Sequence, residues 1–492
     1  MAGRLAQAAR THWLRNSWSG QEFPHPGKRR PIVGDLEVSD PRNPILSVLT
    51  LGKELGEIYE LKIFRQKFVF VATAELVAEL CDETRFQKTL PPAIDALREF
   101  GGDGLFTAYN DEPNWQLAHD LLMPAFTKAS MRSYHEIMLA VTRELFEYWD
   151  GLPTSRVDVT RDMTKLTMET LSRSAFSRDF GSFTSPTPHP FVGAMIRGLA
   201  TARRKGGIRT APGGKLAGKF LSHKMAKDQE WADELLDDLI AARADDRSQH
   251  DLLGIMLNVA HPETGERLSP INIRYQILTF LVAGHETTSG ALSFTLYFLA
   301  TNPDCLRRAQ EEADAILGDD PDAEPTFDQV SKFRHIRRCL DESLRIWPTV
   351  PAFSRTPLSD TVLGGRYPMR TDDWALIMLG QVHRDPAVWD EPERFDPDRF
   401  LPEEIKKRPA HSYKPFGTGM RACIGRQFAL HESVLVLARL VHRYDLTPDA
   451  DYELDVTERL TMVPRNFHVT LRRRRAYPSS SIESRSHATH SG

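Results

Sequence analysis

Four cysteines in 492 residues, at positions 81, 305, 339 and 423, are too few and too scattered for a disulfide framework or a CxxC zinc site. The expectation is a reducing compartment, and hence a cytoplasmic protein. No run of eighteen apolar residues occurs, so no segment reads as a transmembrane span. Neither sign of charge dominates: 63 Lys+Arg against 67 Asp+Glu leave a net charge of −4, which argues against a general nucleic-acid binder. Internal repeats are absent, and the first residues contain no apolar signal core. That opening carries Arg4, Arg10 and Arg15 with no acid before Glu22. It reads as a flexible extension over residues 1–22, with a basic targeting or membrane-surface segment as the alternative.

What is present is an ordinary globular composition, 41% hydrophobic and 26% charged, sufficient for a large core. Length alone would suggest three domains of about 150 residues. No linker separates two cores, however, so residues 23–475 read as one domain and the Ser-rich 476–492 as a disordered tail. Glu57 to Thr73 alternates at close to period two and predicts a hairpin. Helical spacing dominates from Thr107 to about Ser174, with breaks at Pro113, Pro124 and Pro153. The Gly-rich basic stretch 201–227 reads as a long mobile surface loop. Ser269 is a suitable N-cap and Pro270 suits a first helical position, and apolar residues then run to Ala300 before Asn302 and Pro303. At about 1.5 Å per residue that helix is roughly 45 Å long, and being apolar nearly all round it must be buried. A helix over 328–346, a small sheet within 349–380 and a helix from Gly425 to Tyr444 complete a mainly α fold with small β-sheets.

Three near-motifs fail on chemistry. Gly213 to Phe220 approximates a phosphate loop but puts Phe220 where a hydroxyl should bind magnesium, and no strand precedes it. His285-Glu286 begins a zinc motif that Ser289 leaves incomplete. Gly417 and Gly419 lack both the third glycine and the βαβ setting of a dinucleotide site.

The segment Phe416 to Gly425 (FGTGMRACIG) is different. One cysteine lies among glycines, two residues after an arginine and directly before a long apolar helix. Glycines let backbone approach a large flat group, and the helix N-terminus favours an anion, so Cys423 is expected as a thiolate. Such a thiolate is a nucleophile or an axial metal ligand; a nucleophile would need a nearby base, and none is evident in this stretch.

This segment resembles the haem-binding signature of the cytochrome P450 family, F-G-x-G-x-R-x-C-x-G, at every fixed position. Further motifs follow the family's order: Ala283 to Thr287 (AGHET), Glu342 with Arg345 (E-x-x-R), and Pro392 to Phe400 (PERFDPDRF) ending in Arg399. From about Asn43 to Phe467 the chain is similar to the haem domain of bacterial fatty-acid hydroxylases fused to a diflavin reductase. The matching stretches include GDGLF (102–106), FLVAGHETTSG (280–290) and RACIGRQFALHE (421–432). The resemblance implies the P450 fold, a helix-rich prism with a long central helix over haem b, and a monooxygenase inserting one oxygen atom from dioxygen into a hydrophobic substrate.

It also implies roles. Cys423 is the axial ligand, with Phe416 packed beside the sulfur. Arg421, Trp115, His119 and Lys88 contact the haem propionates; many family members have arginine where this chain has His119. Glu286 and Thr287 deliver protons, and Ala283 leaves room beside them. Glu342, Arg345 and Arg399 form a buried structural charge cluster. Phe106, Ile94, Leu97, Leu199, Val282, Ala283, Val350 and Leu460 line the substrate channel. The Arg and Tyr that anchor a substrate carboxylate in that subfamily are replaced here by Gln66 and Phe70, with Arg65 and Lys67 alongside as substitutes. Electrons derived from NAD(P)H are expected through a separate ferredoxin or flavodoxin-type partner and its reductase, steered by Lys406, Lys407, Arg408, Lys414 and Arg426. The rival readings are a natural-product tailoring oxidase, a peroxygenase and a non-enzymatic haem sensor.

Overall fold

The computed structural model describes residues 18–474, apart from 19, 39, 41–42, 65, 186–189, 209–210, 212, 225 and 244–250. The expected tail and most of the N-terminal extension lie outside the described residues. Trp18 corrects the extension's boundary: it is fully buried, and its indole Nε1 donates to the Trp374 carbonyl at 2.9 Å. A large aromatic ring gains more from burial than from solvation, so the folded unit includes Trp18.

Strands β1 (Ile58–Ile63) and β2 (Gln66–Val71) form the predicted hairpin, in antiparallel register with Ile58 opposite Val71. With β3 (Phe86–Lys88), β4 (Ala352–Pro357) and β5 (Ala375–Met378) they make a five-stranded sheet in the order β1-β2-β5-β4-β3. Only β2 and β5 are parallel.

The helices form the larger mass: α1 (Pro113–Leu122), α2 (Lys128–Asp150), α3 (Val159–Phe176), α4 (Pro190–Ile208), α5 (Ala226–Ala241), α6 (Pro270–Thr301), α7 (Arg334–Ile346) and α8 (Arg426–Arg443). Helix α6 begins as predicted, with Ser269 Oγ accepting from the Asn272 N–H and Pro270 in the first turn. Its buried positions fall on every face, and it packs against α3, α7 and α8. A β-carbon at Gly284 would lie 3.0 Å from Leu171, so the glycine lets α3 and α6 approach closely.

Two expectations fail locally. The helix expected over 328–346 is two pieces, Phe327–Val330 and α7, because Phe333 turns into the core between them. The 201–227 stretch is largely helical rather than a loop: α4 runs to Ile208 and a further helix spans Gly214–Lys224. Gly206 there serves packing instead of flexibility, since a β-carbon would come within 2.8 Å of the Ala93 backbone.

Among the described residues the core holds a costly buried acid. Glu432 on α8 is fully buried, and neither of its oxygens, nor Thr170 Oγ1 on α3, makes a hydrogen bond among the described residues. Burial pushes its carboxyl up to about 8. The folded chain therefore holds a proton that the unfolded chain releases near the ordinary value of 4.5, and stability should fall as pH rises from there to about 8. Glu432→Gln should flatten that slope, giving a variant whose advantage in urea denaturation grows from pH 5 to pH 8.

Candidate active site

The cysteine loop is shaped by two left-handed glycines, Gly417 (φ 69°) and Gly419 (φ 68°). They direct the chain past Glu83, whose carboxylate accepts the Met420 N–H at 3.0 and 3.1 Å. The Cys423 N–H donates to the Phe416 carbonyl at 2.9 Å, and α8 begins three residues later. The Gly425 N–H and Arg426 favour the thiolate, but burial is the larger influence and pushes the thiol up. The residue is still exposed. A sulfur desolvated by surrounding protein yet reachable suits a metal cation, which would hold it as thiolate.

Beside the loop stands a group of cations. Lys88 on β3 lies directly opposite Arg355 on β4. Arg421 lays its guanidinium over the Trp115 ring at 3.9 Å and donates through Nη2 to the Tyr109 carbonyl at 3.1 Å. Lys88 as a residue is half-buried, but its ammonium lies deep, donating to the Phe106 carbonyl at 2.6 Å. Burial, followed by the charges of Arg421, Arg355 and Arg98, pushes it down to about 7. Burial also lowers Arg421 to about 10 and moves Arg355 in the same direction.

Arg421 Nη1 and Arg355 Nε have no hydrogen-bond partner among the described residues. The nearby carboxylates are engaged elsewhere, Glu83 by Met420 and Glu112 by Arg98 at 2.6 Å. Buried like charges with orphaned donors call for an anion. His119 stacks on Trp115 at 4.9 Å between centroids, with Nδ1 3.6 Å from the Asp120 carboxylate. Arg355 was not singled out from the sequence. Its only signal is a lone arginine inside the strand Ala352–Pro357, where it is 2% exposed.

On α6, Glu286 is buried. Its Oε1 is 3.5 Å from Arg459, Oε2 makes no hydrogen bond among the described residues, and burial pushes the carboxyl up against the opposing effect of Arg459. Thr287 Oγ1 donates to the Ala283 carbonyl at 2.7 Å, the back-bond of a helical threonine, while Ala283 itself is exposed. An accessible sulfur, an anion-seeking cation cluster and a helix presenting small and acidic groups match the donor set for a dicarboxylate haem.

A family model described as Cytochrome P450 matches residues 24–471. The chain belongs to the cytochrome P450 family. The bifunctional cytochrome P450/NADPH–P450 reductase of Bacillus cereus is 44% identical over 454 residues, covering 91% of this chain and 42% of that protein. Reductase 1 of the same description from Bacillus subtilis is 44% identical over 456 residues, 92% of this chain and 42% of its own length. A self-sufficient cytochrome P450 monooxygenase of Phanerodontia chrysosporium is 38% identical over 446 residues, 89% and 42%. The chain thus spans about two-fifths of the length of these relatives.

The remaining residues singled out from the sequence fall in two places. Glu342 and Arg345, three apart on α7, are fully buried and doubly bonded, Nε to Oε2 at 2.6 Å and Nη2 to Oε1 at 2.8 Å. Arg345 also donates to the carbonyls of His383, Pro392 and Arg394. Arg399 approaches Glu342 at 3.4 Å and donates to the Glu391 carbonyl. One pair on α7 therefore holds the segment leading into the cysteine loop.

An apolar cleft, partly open to solvent, is lined by Leu97, Phe106, Leu199 and Val282 among the expected channel residues. Ile94, Ala283, Val350 and Leu460 do not line it. Val350 and Leu460 adjoin Thr349, which faces Gly290, and Arg459, which pairs with Glu286. Those contacts lie at least a turn further along α6 than Leu278, Thr279 and Val282 of the cleft.

Gln66 and Phe70 are 3% and 4% exposed, with Phe70 stacked on Tyr59. Lys67 is committed to Glu60 at 2.6 Å and to the Trp18 and Gln21 carbonyls. Arg65 lies outside the described residues. Of the five expected surface cations near the loop, Lys407 pairs with Glu404 at 2.7 Å, and Arg408 lies over Trp389 at 4.0 Å. Lys406 and Arg426 are exposed and Lys414 is half-buried.

Proposed function

We propose that this P450 is a haem-thiolate monooxygenase that hydroxylates a long hydrophobic chain of the fatty-acid type. The observation that carries the reading is the buried, under-bonded Glu286 beside Thr287, on the helix whose Val282 lines the apolar cleft. Cys423 would hold the iron, and Lys88, Arg355 and Arg421 would take the propionates. Haem bound in this way supplies reductive activation of dioxygen, with thiolate donation favouring O–O cleavage.

The chain's own groups do the rest. Glu286, whose carboxyl is pushed up by burial, offers Oε2 as the atom through which a proton would pass. Thr287 spends its hydroxyl proton on Ala283 and keeps acceptor capacity for a passing proton donor. The cleft orders the chain and excludes water. Electrons from NAD(P)H would arrive through a ferredoxin or flavodoxin-type donor at the loop face, where Met420 is 62% exposed; Lys406 and Arg426 are exposed as well. The burial of Gln66 and Phe70 favours a second reading, a tailoring oxidase whose substrate has no carboxylate.

The test is absorption titration of the ferric holoenzyme with long-chain substrates, together with product analysis. A low-to-high-spin shift and a hydroxylated product are expected. Thr287→Val should keep the shift and lower coupled product formation by about 10²-fold or more. Unchanged turnover in Thr287→Val would remove the proton-relay role, and a shift without any product would leave the haem-sensor reading.

A further inference from the structure

Hydrogen-bond capacity in the cleft is one-sided. Its polar side chains among the described lining residues are Thr107, Thr279 and Asp233. Thr279 Oγ1 donates to the Tyr275 carbonyl at 2.8 Å, and Thr107 Oγ1 donates to the carbonyls of Gly101 and Gly102 at 3.1 and 3.0 Å. Each hydroxyl has one proton, so both threonines present only lone pairs to a ligand. Asp233 accepts only. The backbone adds one candidate donor, the Phe106 N–H: those of Leu97, Phe100, Gly101 and Thr107 are all bonded to carbonyls, and the lining residues of α4, α5 and α6 lie inside helices.

Charge around the cleft points the same way. Arg274 is shared between Asp233 (2.7 Å) and Asp237, leaving the trio one negative charge in excess. Lys205 pairs with Glu99. Arg197 and Arg204 are exposed, and at 100° per residue they fall opposite the Ala194, Met195, Gly198 and Leu199 face of α4 that lines the cleft. Lys88, beneath Phe106, belongs to the cation cluster beside the cysteine loop.

We infer that the cleft takes a long chain whose polar end donates a hydrogen bond and carries no negative charge, a fatty alcohol rather than a fatty acid, and that Asp233 excludes the carboxylate. The inference rests on the hydrophobic-chain reading above and narrows it. Among the described residues no lining side chain donates to a carboxylate, which also faces net negative charge, whereas a hydroxyl finds three acceptors. An ion left without partners costs more than a neutral group, so a discrimination of at least about tenfold follows.

The experiment is spin-state titration of the holoenzyme with hexadecanol, hexadecanoic acid and hexadecane, with wild-type and Asp233→Asn proteins, each followed by product analysis. The alcohol should bind at least about tenfold more tightly than the acid, with the alkane between them. Asp233→Asn supplies an amide donor and removes a charge; it should tighten the acid and bring the two Kd values within about threefold. Acid binding as tight as alcohol in the wild type, or a gap unchanged by Asp233→Asn, would overturn the inference. Tight acid binding with hydroxylation leaves the hydrophobic-chain reading standing. Failure of all three chains to bind or react overturns that reading and this inference together.

Discussion

Arg345→Met should lower folding stability by about 3–5 kcal/mol, the cost of leaving a buried carboxylate without its partner. Arg345 satisfies both oxygens of Glu342 and three backbone carbonyls from the segments around His383 and Pro392. Methionine fills similar volume but donates nothing, so all five acceptors lose a bond at once. Burial already pushes the Glu342 carboxyl up, and Arg345 is the largest influence holding it down. In the variant that upward push goes unopposed by Arg345. The folded state then binds a proton the unfolded state does not, so the loss should deepen as pH rises above the usual carboxylate range. Urea denaturation across pH measures this. Glu342→Leu combined with Arg345→Met should recover part of the loss, because the stranded charge is gone. A single variant within about 1 kcal/mol of wild type would show that the pair is dispensable.

Lys88→Met should have effects of opposite sign on the haem-free and haem-loaded chains. In the haem-free fold Lys88 is pushed down to about 7 from 10.5 by burial and by its cationic neighbours. The unfolded chain therefore binds the extra proton between those values, and the penalty, complete below about pH 7, is relieved as pH rises. Removing the amine should stabilise the haem-free chain at pH 7 and flatten its dependence on pH up to about 10. The same change removes one charge-assisted donor to a carboxylate, worth about 1.5–3 kcal/mol, so haem should transfer to a scavenger roughly 10 to 150 times faster. Arg355→Leu should act in the same direction on haem transfer. If Lys88→Met left transfer unchanged, the cations would not be an anion site.

The local chemistry was written in the sequence. Glycines flanking Cys423, the N-cap at Ser269 and the period-two run from Glu57 act over a few residues, so their geometry follows from neighbours. The same holds for Glu342 and Arg345, whose spacing of three places them one turn apart on α7. Arg355 was illegible because its role depends on β3 pairing with β4, which brings together positions 88 and 355.

Tertiary structure also reversed two local readings. Gly206 looked like a source of flexibility, yet the approach of Ala93 makes it a packing residue. Lys67 looked like a free cation, yet Glu60 and the buried Trp18 segment consume it. The acceptor-only character of the cleft is likewise invisible in the letters, since a threonine's hydroxyl proton is committed only once the carbonyl it meets is in place. The sequence by itself determined the helix-rich fold, because short-range spacing dictates it, and its resemblance to the family pointed to Cys423 and to Glu286 with Thr287 as candidate site residues. Only the tertiary structure decided which charges are neutralised and which donors remain, because those depend on contacts between segments far apart in the chain.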